Sequence, residues 1–420
     1  MPNVYTGAGY YLHDGGNEGT SGTFYNNVRN QYMAGAGVTV AVSATDAIFT
    51  PLAMRQVVKS RTFDMQTARN DALLDVAEAY FNVQQARGRL AGADDAQAKS
   101  RDLVSKAILL AKDLVPPVEI NRTRTQLADL EQADAGAREQ WRIASADLTR
   151  ELRLAPGAVV VPLEPPHLQL TLIAPSDTVD ALIPIGLTNR PELASQQALV
   201  QATLVRLRAE RLRPLIPSVV LMGDATPAAP EGYLMGGAYG SDLNGHNNPW
   251  AGRFDPSVQV LWELRNMGFG NRALVRERQG EQEQAVVELY RLQDRVAAEI
   301  AQAHARVRSS TVRVKEAETG LKEAQINFAG NLKGISETSR FGDRLIPLIR
   351  PQEAVAALTQ LAQAYDNYFT TVNEYNRAQF RLFRALGYPA SVIACDPAAN
   401  QIPVDTTRPA PMPSVPALAR

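Results

Sequence analysis

Cysteine is almost absent from this chain: Cys395 stands alone among 420 residues, so no intramolecular disulfide can form. Aromatic residues make up only 6%, and the 45% hydrophobic content is rich in Ala. That mixture suits long helices packed closely together better than a thick aromatic core. Net charge is missing too. A balance of −1 with 21% charged residues excludes both a basic nucleic-acid binder and a solvated, disordered chain. No run of about 18 apolar residues exists, so no helix is written to span a bilayer. A transmembrane β-barrel escapes that test, because its strands are about ten residues long and carry a weak hydropathy signal.

Signatures of chemistry are absent as well. The four histidines, His13, His167, His246 and His304, show no ligand spacing, and no metal site is expected from them. Gly7-Ala-Gly9 and Gly35-Ala-Gly37 lack the third Gly and the following helix of a dinucleotide fingerprint. Neither a phosphate-binding loop nor a nucleophile elbow occurs. The expectation is a non-enzyme with no catalytic, cofactor-binding or metal residues. An export signal is not visible either, since no basic region precedes an apolar one.

What is present is a duplication. Pro2 and Val4 recur as Pro217 and Val219, and Val40 and Val42 as Val258 and Val260. Val76, Ala77, Ala79 and Val83 recur as Ile300, Ala301, Ala303 and Val307. Pro116, Leu127, Leu130, Gln132 and Ala133 recur as Pro347, Leu358, Leu361, Gln363 and Ala364. The offset only grows along the chain, as loop insertions in a second copy would cause. Each copy reads strand, loop, strand, long helix, Pro-marked turn, long helix. A further helix from about Pro191 to Leu212 precedes the second copy, with Thr188 or Asn189 able to cap it. The first copy opens directly on its strand. The expectation is therefore that the natural protein carries an additional N-terminal helix and export signal ahead of Met1.

The helices are long and want neighbours. Leu358, Leu361, Tyr365, Tyr368, Val372, Tyr375, Gln379, Leu382 and Leu386 keep a 3-4-3-4 spacing with Gln379 the only polar member. Leu127, Leu130, Asp134, Ala137, Trp141, Ala144 and Leu148 form the matching seam in the first copy. A sustained 3.5-residue period is the coiled-coil signal. A helix of about 60 residues would be roughly 90 Å long, so its stripe needs antiparallel and lateral partners. The helical turns fall at Leu114–Asn121 and Phe341–Pro351, where Pro116, Pro117, Pro347 and Pro351 interrupt the helix. Arg206, Arg208, Arg211 and Arg213 gather at a helix C-terminus, where cations suit the dipole.

Before each long helix lies a strand pair. Val38, Val40 and Val42, and Val258, Val260 and Trp262, alternate with other residues at period two. Their partners are read at Asn3–His13 and Ser218–Gly223, joined by Gly- and Asn-rich loops at about Asp14–Met33 and Asp224–Phe254. Two hairpins leave two open edges, which several copies of the chain or another protein must close. Between the copies, Val159–Pro162 and Leu168–Ile173 read as a small mixed region beside the helices.

Four phrases carry a resemblance: Asp75-Val-Ala-Glu-Ala-Tyr80, Leu187-Thr-Asn-Arg-Pro-Glu-Leu193, Leu215-Ile-Pro-Ser-Val219 and Gln379-Phe-Arg-Leu-Phe-Arg-Ala-Leu-Gly387. Together, and in this order, they resemble the TolC-like outer membrane factor family over about residues 1–392. The resemblance implies a mainly α fold with a small β part. It implies a homotrimer whose chains close a 12-stranded β-barrel in outer-membrane lipid and an α-helical barrel in the periplasm. It also implies partnership with a periplasmic adaptor and an inner-membrane pump, in the outer membrane of a Gram-negative bacterium. The expected organisation is a first repeat at 1–187, with strand hairpin 3–43, helical hairpin 50–153 and equatorial segment 157–187. The second repeat spans 188–392, with helix 188–213, strand hairpin 216–264 and helical hairpin 271–387. A disordered Pro-rich tail is expected at 393–420. The hairpin tips are richer in Pro than the family's usual Gly-centred turns.

The function implied is a passive export duct of a tripartite efflux or type I secretion system. In the family, the tips converge on the threefold axis, so each inward charge becomes a ring of three that sets ion selectivity. Asp343 and Arg344 on the second tip, and Glu119 and Arg122 on the first, are the pore-tip candidates. Two competing readings are a periplasmic adaptor and a soluble coiled-coil scaffold. An adaptor sets a single hairpin among strand-rich domains and lacks a tandem repeat. A scaffold has no need for strand pairs at equivalent places in both halves.

Overall fold

A computed structural model describes residues 2–18, 20–110, 116–155, 157–223, 235–241, 247–253, 256–341 and 344–388. The elements in order are β1 (Pro2–Glu18), β2 (Phe24–Ser43), α1 (Ala44–Leu110), α2 (Val118–Glu151), α3 (Val179–Asn189) and α4 (Pro191–Leu212). There follow β3 (Ser218–Gly223), β4 (Met235–Ser241), β5 (Asn247–Arg253), β6 (Pro256–Leu261) and α5 (Phe269–Ser336). A small hairpin, β7 (Thr338–Phe341) and β8 (Arg344–Pro347), precedes α6 (Pro351–Ala385). Contacts gather the chain into two units, Met1–Thr62 with Ala194–Tyr290, and Phe63–Leu193 with Arg291–Arg420. The expected tail at 393–420 lies outside the described residues.

The first unit is organised by β2, a strand of 20 residues. Along one side it pairs antiparallel with all of β1, from Pro2↔Val40 to Glu18↔Phe24. Along the other it pairs with β3 through Thr39–Ser43 and with β4 through Asn30–Ala36. Behind these come β6 on β3 and β5 on β4. The six strands thus make a sheet four strands wide, β1-β2-β3-β6 at one level and β1-β2-β4-β5 at the other. This corrects the loop expected at about Asp14–Met33, most of which is strand, with a turn at residues 20–23. Part of the second expected loop is likewise β4 and β5, while 224–234, 242–246 and 254–255 lie outside the described residues. Gly and Asn are turn formers taken singly. A long backbone ladder overrides that preference by satisfying every second peptide across the pair.

Helix α1 begins at Ala44, ahead of the expected start at 50, because the Ser43 hydroxyl accepts the Asp46 amide at 3.3 Å. Pro51 is accommodated inside the helix. Asp46 is in turn gripped by both ends of the Arg213 guanidinium, at 2.6 and 3.1 Å, while Arg213 also holds Glu210. The Arg213 fork holds the Asp46 carboxyl below its usual range. That member of the arginine cluster therefore ties helix α4 to α1, beyond any dipole role. Ser60 and Ser195 share a buried hydroxyl contact at 2.9 Å between the same two helices.

In the second unit the expected seam of α6 is the core. Leu358, Leu361, Val372, Gln379 and Leu382 have no exposed surface, and Tyr365, Tyr368, Tyr375 and Leu386 are buried with them. The repeat shows in packing: Val83 and Val307 are both fully buried, as are Ala79 and Ala303 to within a few per cent. Two glycines of α1 make room for α6. A Cβ on Gly88 would sit 2.4 Å from the Phe369 ring, and one on Gly92 would sit 2.7 Å from Tyr365 Cβ. Across that contact Tyr365 donates to Asp95 at 2.8 Å and accepts from Gln325 on α5 at 3.2 Å. Asp134, the polar member of the α2 seam, is buried beside Asp94 of α1, and Arg138 reaches both at 2.9 and 3.1 Å. Burial, and then the neighbouring Asp134 carboxylate, raise the Asp94 carboxyl above its usual range.

Gln379 explains itself here. Its carbonyl accepts the amides of Leu172 and Ile173 at 3.2 and 3.1 Å, and its amide donates to Tyr375. One turn back, Asn376 accepts from Leu170 N and donates to Leu168 O, at 2.9 and 2.8 Å. Two side-chain amides thus hold the extended segment Leu168–Ile173 against α6 as a strand neighbour would. Helix α3 was not foreseen in this region. The Thr188 hydroxyl donates back to Pro184 O at 2.9 Å, and both expected caps, Thr188 and Asn189, lie inside α3, with Arg190 the residue between it and α4.

Candidate functional site

The sheet carries its most informative chemistry on one face. Backbone register aligns Val42, Val219 and Val260 in one cross-strand row and Val40, Leu221 and Val258 in the next. Residues two apart share a face, so six aliphatic side chains lie together. The opposite face carries Ala41, Ser43, Ser218, Val220, Gln259 and Leu261. Val258 is 68% exposed and Val260 49%, with Val42 and Leu221 also exposed. Leaving such a side chain in water forgoes about 1.5–3 kcal/mol each, and a contiguous apolar patch marks an interaction surface. The sheet has two edges: β1, which pairs only with β2, on one side, and on the other β6 and β5, which pair only with β3 and β4, among the described residues. Unpaired strand edges are reactive surfaces.

The tips lie in the second unit. Glu119 sits in the first turn of α2, where the helix dipole favours a carboxylate, and is 8% exposed. Its Oε1 accepts from Arg122 Nη1 at 2.6 Å, while Oε2 is buried without a partner. Arg122 Nη1 also donates to Gln352 Oε1 at 3.0 Å, in the first turn of α6. Gln352, not singled out from the sequence, therefore links the start of α2 to the start of α6. On the second tip the expected Pro-marked turn is a β-hairpin. Arg344 pairs with Phe341 in its backbone ladder, and Asp343 lies outside the described residues. The Leu348 amide bonds to Glu337 O at 2.8 Å, and Ile349 packs where a Cβ on Gly334 would stand, closing the hairpin onto the end of α5. Of the four tip candidates, Glu119 and Arg122 are brought together.

The sequence phrases turn out to be junctions. In Asp75–Tyr80, Glu78 takes both arms of Arg381, and Tyr80 donates to Glu164 of the segment that follows α2. Burial, and then the Glu164 bond, push the Tyr80 hydroxyl upward. In Leu187–Leu193, Arg190 is 4% exposed and bonds Glu299 of α5 and Glu192, which also receives Arg384 of α6. In Gln379–Gly387, Gly387 ends α6 at φ 84°. A Cβ there would meet the Asn189 backbone at 2.7 Å, so glycine is required twice over. His304 is buried and bonds Asp177 O at 2.8 Å, a packing contact. No helix among the described residues is long and apolar enough to cross a membrane, which says nothing of a barrel.

No protein-family model and no curated protein matches the chain. Solved structures do match its fold. The outer-membrane channel CmeC of Campylobacter jejuni aligns over 92% of this chain and 78% of its own, at TM-score 0.63 and 13% identity. The outer membrane protein VceC of Vibrio cholerae covers 92% and 87%, at 0.64 and 14%. The open state of the MtrE outer-membrane channel of Neisseria gonorrhoeae covers 93% and 81%, at 0.64 and 15%. The chain has the fold of these channels, and the resemblance read from its sequence points the same way.

Proposed function

We propose that the protein is the outer-membrane channel of a tripartite efflux or type I secretion system, a passive duct assembled from three copies. The observation that carries this reading is the four-strand-wide sheet with two open edges and one exposed aliphatic face. Three such sheets joined edge to edge close a barrel of twelve strands, in which the aliphatic face meets lipid and the mixed face, with Ser43, Ser218 and Gln259, lines water. The dimensions fit. Tyr10, Tyr32 and Tyr239 stand in one cross-strand register row, and Tyr32 precedes Val42 by ten residues. Ten residues span about 34 Å of strand, or about 26 Å of height at a tilt of about 40°, the size of the apolar band of such barrels.

The helical unit supplies the duct beyond the membrane. Its tips are where an adaptor would engage and where Arg122, Asp343 and Arg344, repeated threefold, would narrow the passage, with Glu119 buried behind Arg122 as its partner. The Arg122–Gln352 bond holds the two tips of one chain together, and its loss accompanies opening. Transport energy comes from the inner-membrane pump. The fold likeness to known channels supports this over an adaptor or a soluble scaffold.

Lysine scanning of β6 tests the reading. Val258→Lys and Val260→Lys place charge toward lipid at the rim of the apolar band and cost up to about 1 kcal/mol each, whereas Gln259→Lys faces water. The expected result is a detergent-requiring, heat-modifiable trimer for the unaltered protein and Gln259→Lys, with a reduced yield of membrane-assembled trimer in the other two. A freely soluble monomer, or equal tolerance at all three positions, overturns the proposal.

A further inference from the structure

In the second unit lies a groove of about 610 Å³ bounded by three helices. From α5 it takes Arg306 and Arg313, from α6 Glu374, Arg377 and Arg381, and from α1 Glu78. Each helix presents one residue per turn to it, so the lining follows from the same periodicity that builds the core. Four guanidinium groups face two carboxylates there, an excess of two positive charges.

The pairing is uneven. Arg381 grips Glu78 with two bonds, at 2.5 and 2.8 Å, and Arg313 meets Glu374 at 2.8 Å. Both carboxylates are thereby neutralised. Arg377 is left with neutral partners: its two arms donate to the amide oxygens of Asn82 and of Gln85, the latter at 3.1 Å. Arg306, on the opposite wall, is exposed and forms no ion pair among the described residues. The two uncompensated charges therefore belong to Arg377, which amides hold in a fixed orientation, and Arg306, which is free to close on a ligand.

We infer that this groove is a binding site for small oxyanions, carboxylates or phosphates, held between the oriented Arg377 fork and Arg306. A planar guanidinium already fixed by two bonds presents its remaining N–H groups without further ordering, and it matches a carboxylate or phosphate edge. Burial depresses the proton affinity of Arg377; the Glu374 and Glu78 charges oppose that effect, and the Arg381 and Arg89 charges add to it. An anion beside it relieves the strain of unpaired charge. A ligand spanning Arg306 and Arg377 also bridges α5 to α6, so binding raises the stability of the helical unit.

Calorimetric titration of the full-length protein in detergent with citrate and, separately, inorganic pyrophosphate tests the site. It requires no conductance, so its failure leaves the channel proposal standing. The expected result is saturable binding of both probes that weakens as salt rises. Arg377→Gln loses at least tenfold in affinity and Arg306→Gln several-fold, while Arg101→Gln, whose partner is Glu131 outside the groove, matches the unaltered protein. Arg377→Lys retains charge but loses the fork, and falls between. Because Arg306 is exposed, its variant keeps the test decisive if Arg377→Gln loosens the helices. Absence of saturable binding, or equal affinity in the unaltered protein and Arg306→Gln, overturns the inference.

Discussion

Replacing Gly92 by Ala should destabilise the helical unit, although Gly→Ala inside a helix ordinarily stabilises. The helix-propensity gain is about 1 kcal/mol. Against it stands the new methyl, 2.7 Å from Tyr365 Cβ and 3.0 Å from Cγ. Those atoms are close to the α6 backbone, so no rotamer change moves them away. Relief requires α1 and α6 to part by roughly 1 Å, which strains the Tyr365–Asp95 bond of 2.8 Å and loosens a fully packed seam. Overpacking of this kind costs about 1–3 kcal/mol. The propensity gain is shared by Gly320→Ala and Gly330→Ala on α5, where nothing lies within 4 Å of the added carbon. Comparing variants cancels it and leaves the packing cost alone. Thermal and urea unfolding followed at 222 nm in detergent should place Gly92→Ala about 1–3 kcal/mol below the two controls, which themselves rise by up to about 1 kcal/mol. If Gly92→Ala is as stable as Gly320→Ala, the close approach of the two helices described above is wrong.

Two further outcomes follow from the same unit. Gln379→Leu keeps the volume but strands the amides of Leu172 and Ile173. Each buried orphan costs about 1–3 kcal/mol, so denaturant midpoints should fall well beyond what loss of a surface glutamine would give. An unchanged midpoint would mean that Leu168–Ile173 is not held by this side chain. Asp94→Asn tests the carboxylate pair. Because the folded-state pKa of Asp94 is raised, the native state binds its proton more tightly than the unfolded chain. The stability it supplies is present below pH 3.8 and is lost as pH climbs from there through the raised folded value. The variant should show a flatter melting-temperature profile over that window and a higher melting temperature at neutral pH. Superimposable profiles would refute the assignment.

Much of this was legible in the sequence because it is periodic. The α6 seam from Leu358 to Leu386 follows from spacing alone, since side chains 3.5 residues apart share a face whatever surrounds them. Gln379, the polar exception, was a visible signal of a special role, though its partners were not. The repeat likewise places Val83 and Val307, and Val42 and Val260, in equivalent settings.

Other features depended on contacts distant along the chain. Whether the Gly- and Asn-rich stretch from Asp14 to Met33 is loop or ladder was settled by β1 and β4 lying on either side of β2, and local propensity carries no record of such partners. The clamp of Asn376 and Gln379 on Leu168–Ile173, the Arg122–Gln352 link and the Gly92–Tyr365 approach each join residues far apart in sequence. Periodicity fixes which way a side chain points from its own helix or strand. Only tertiary packing decides what stands opposite it, because that depends on the fold bringing two distant segments into register.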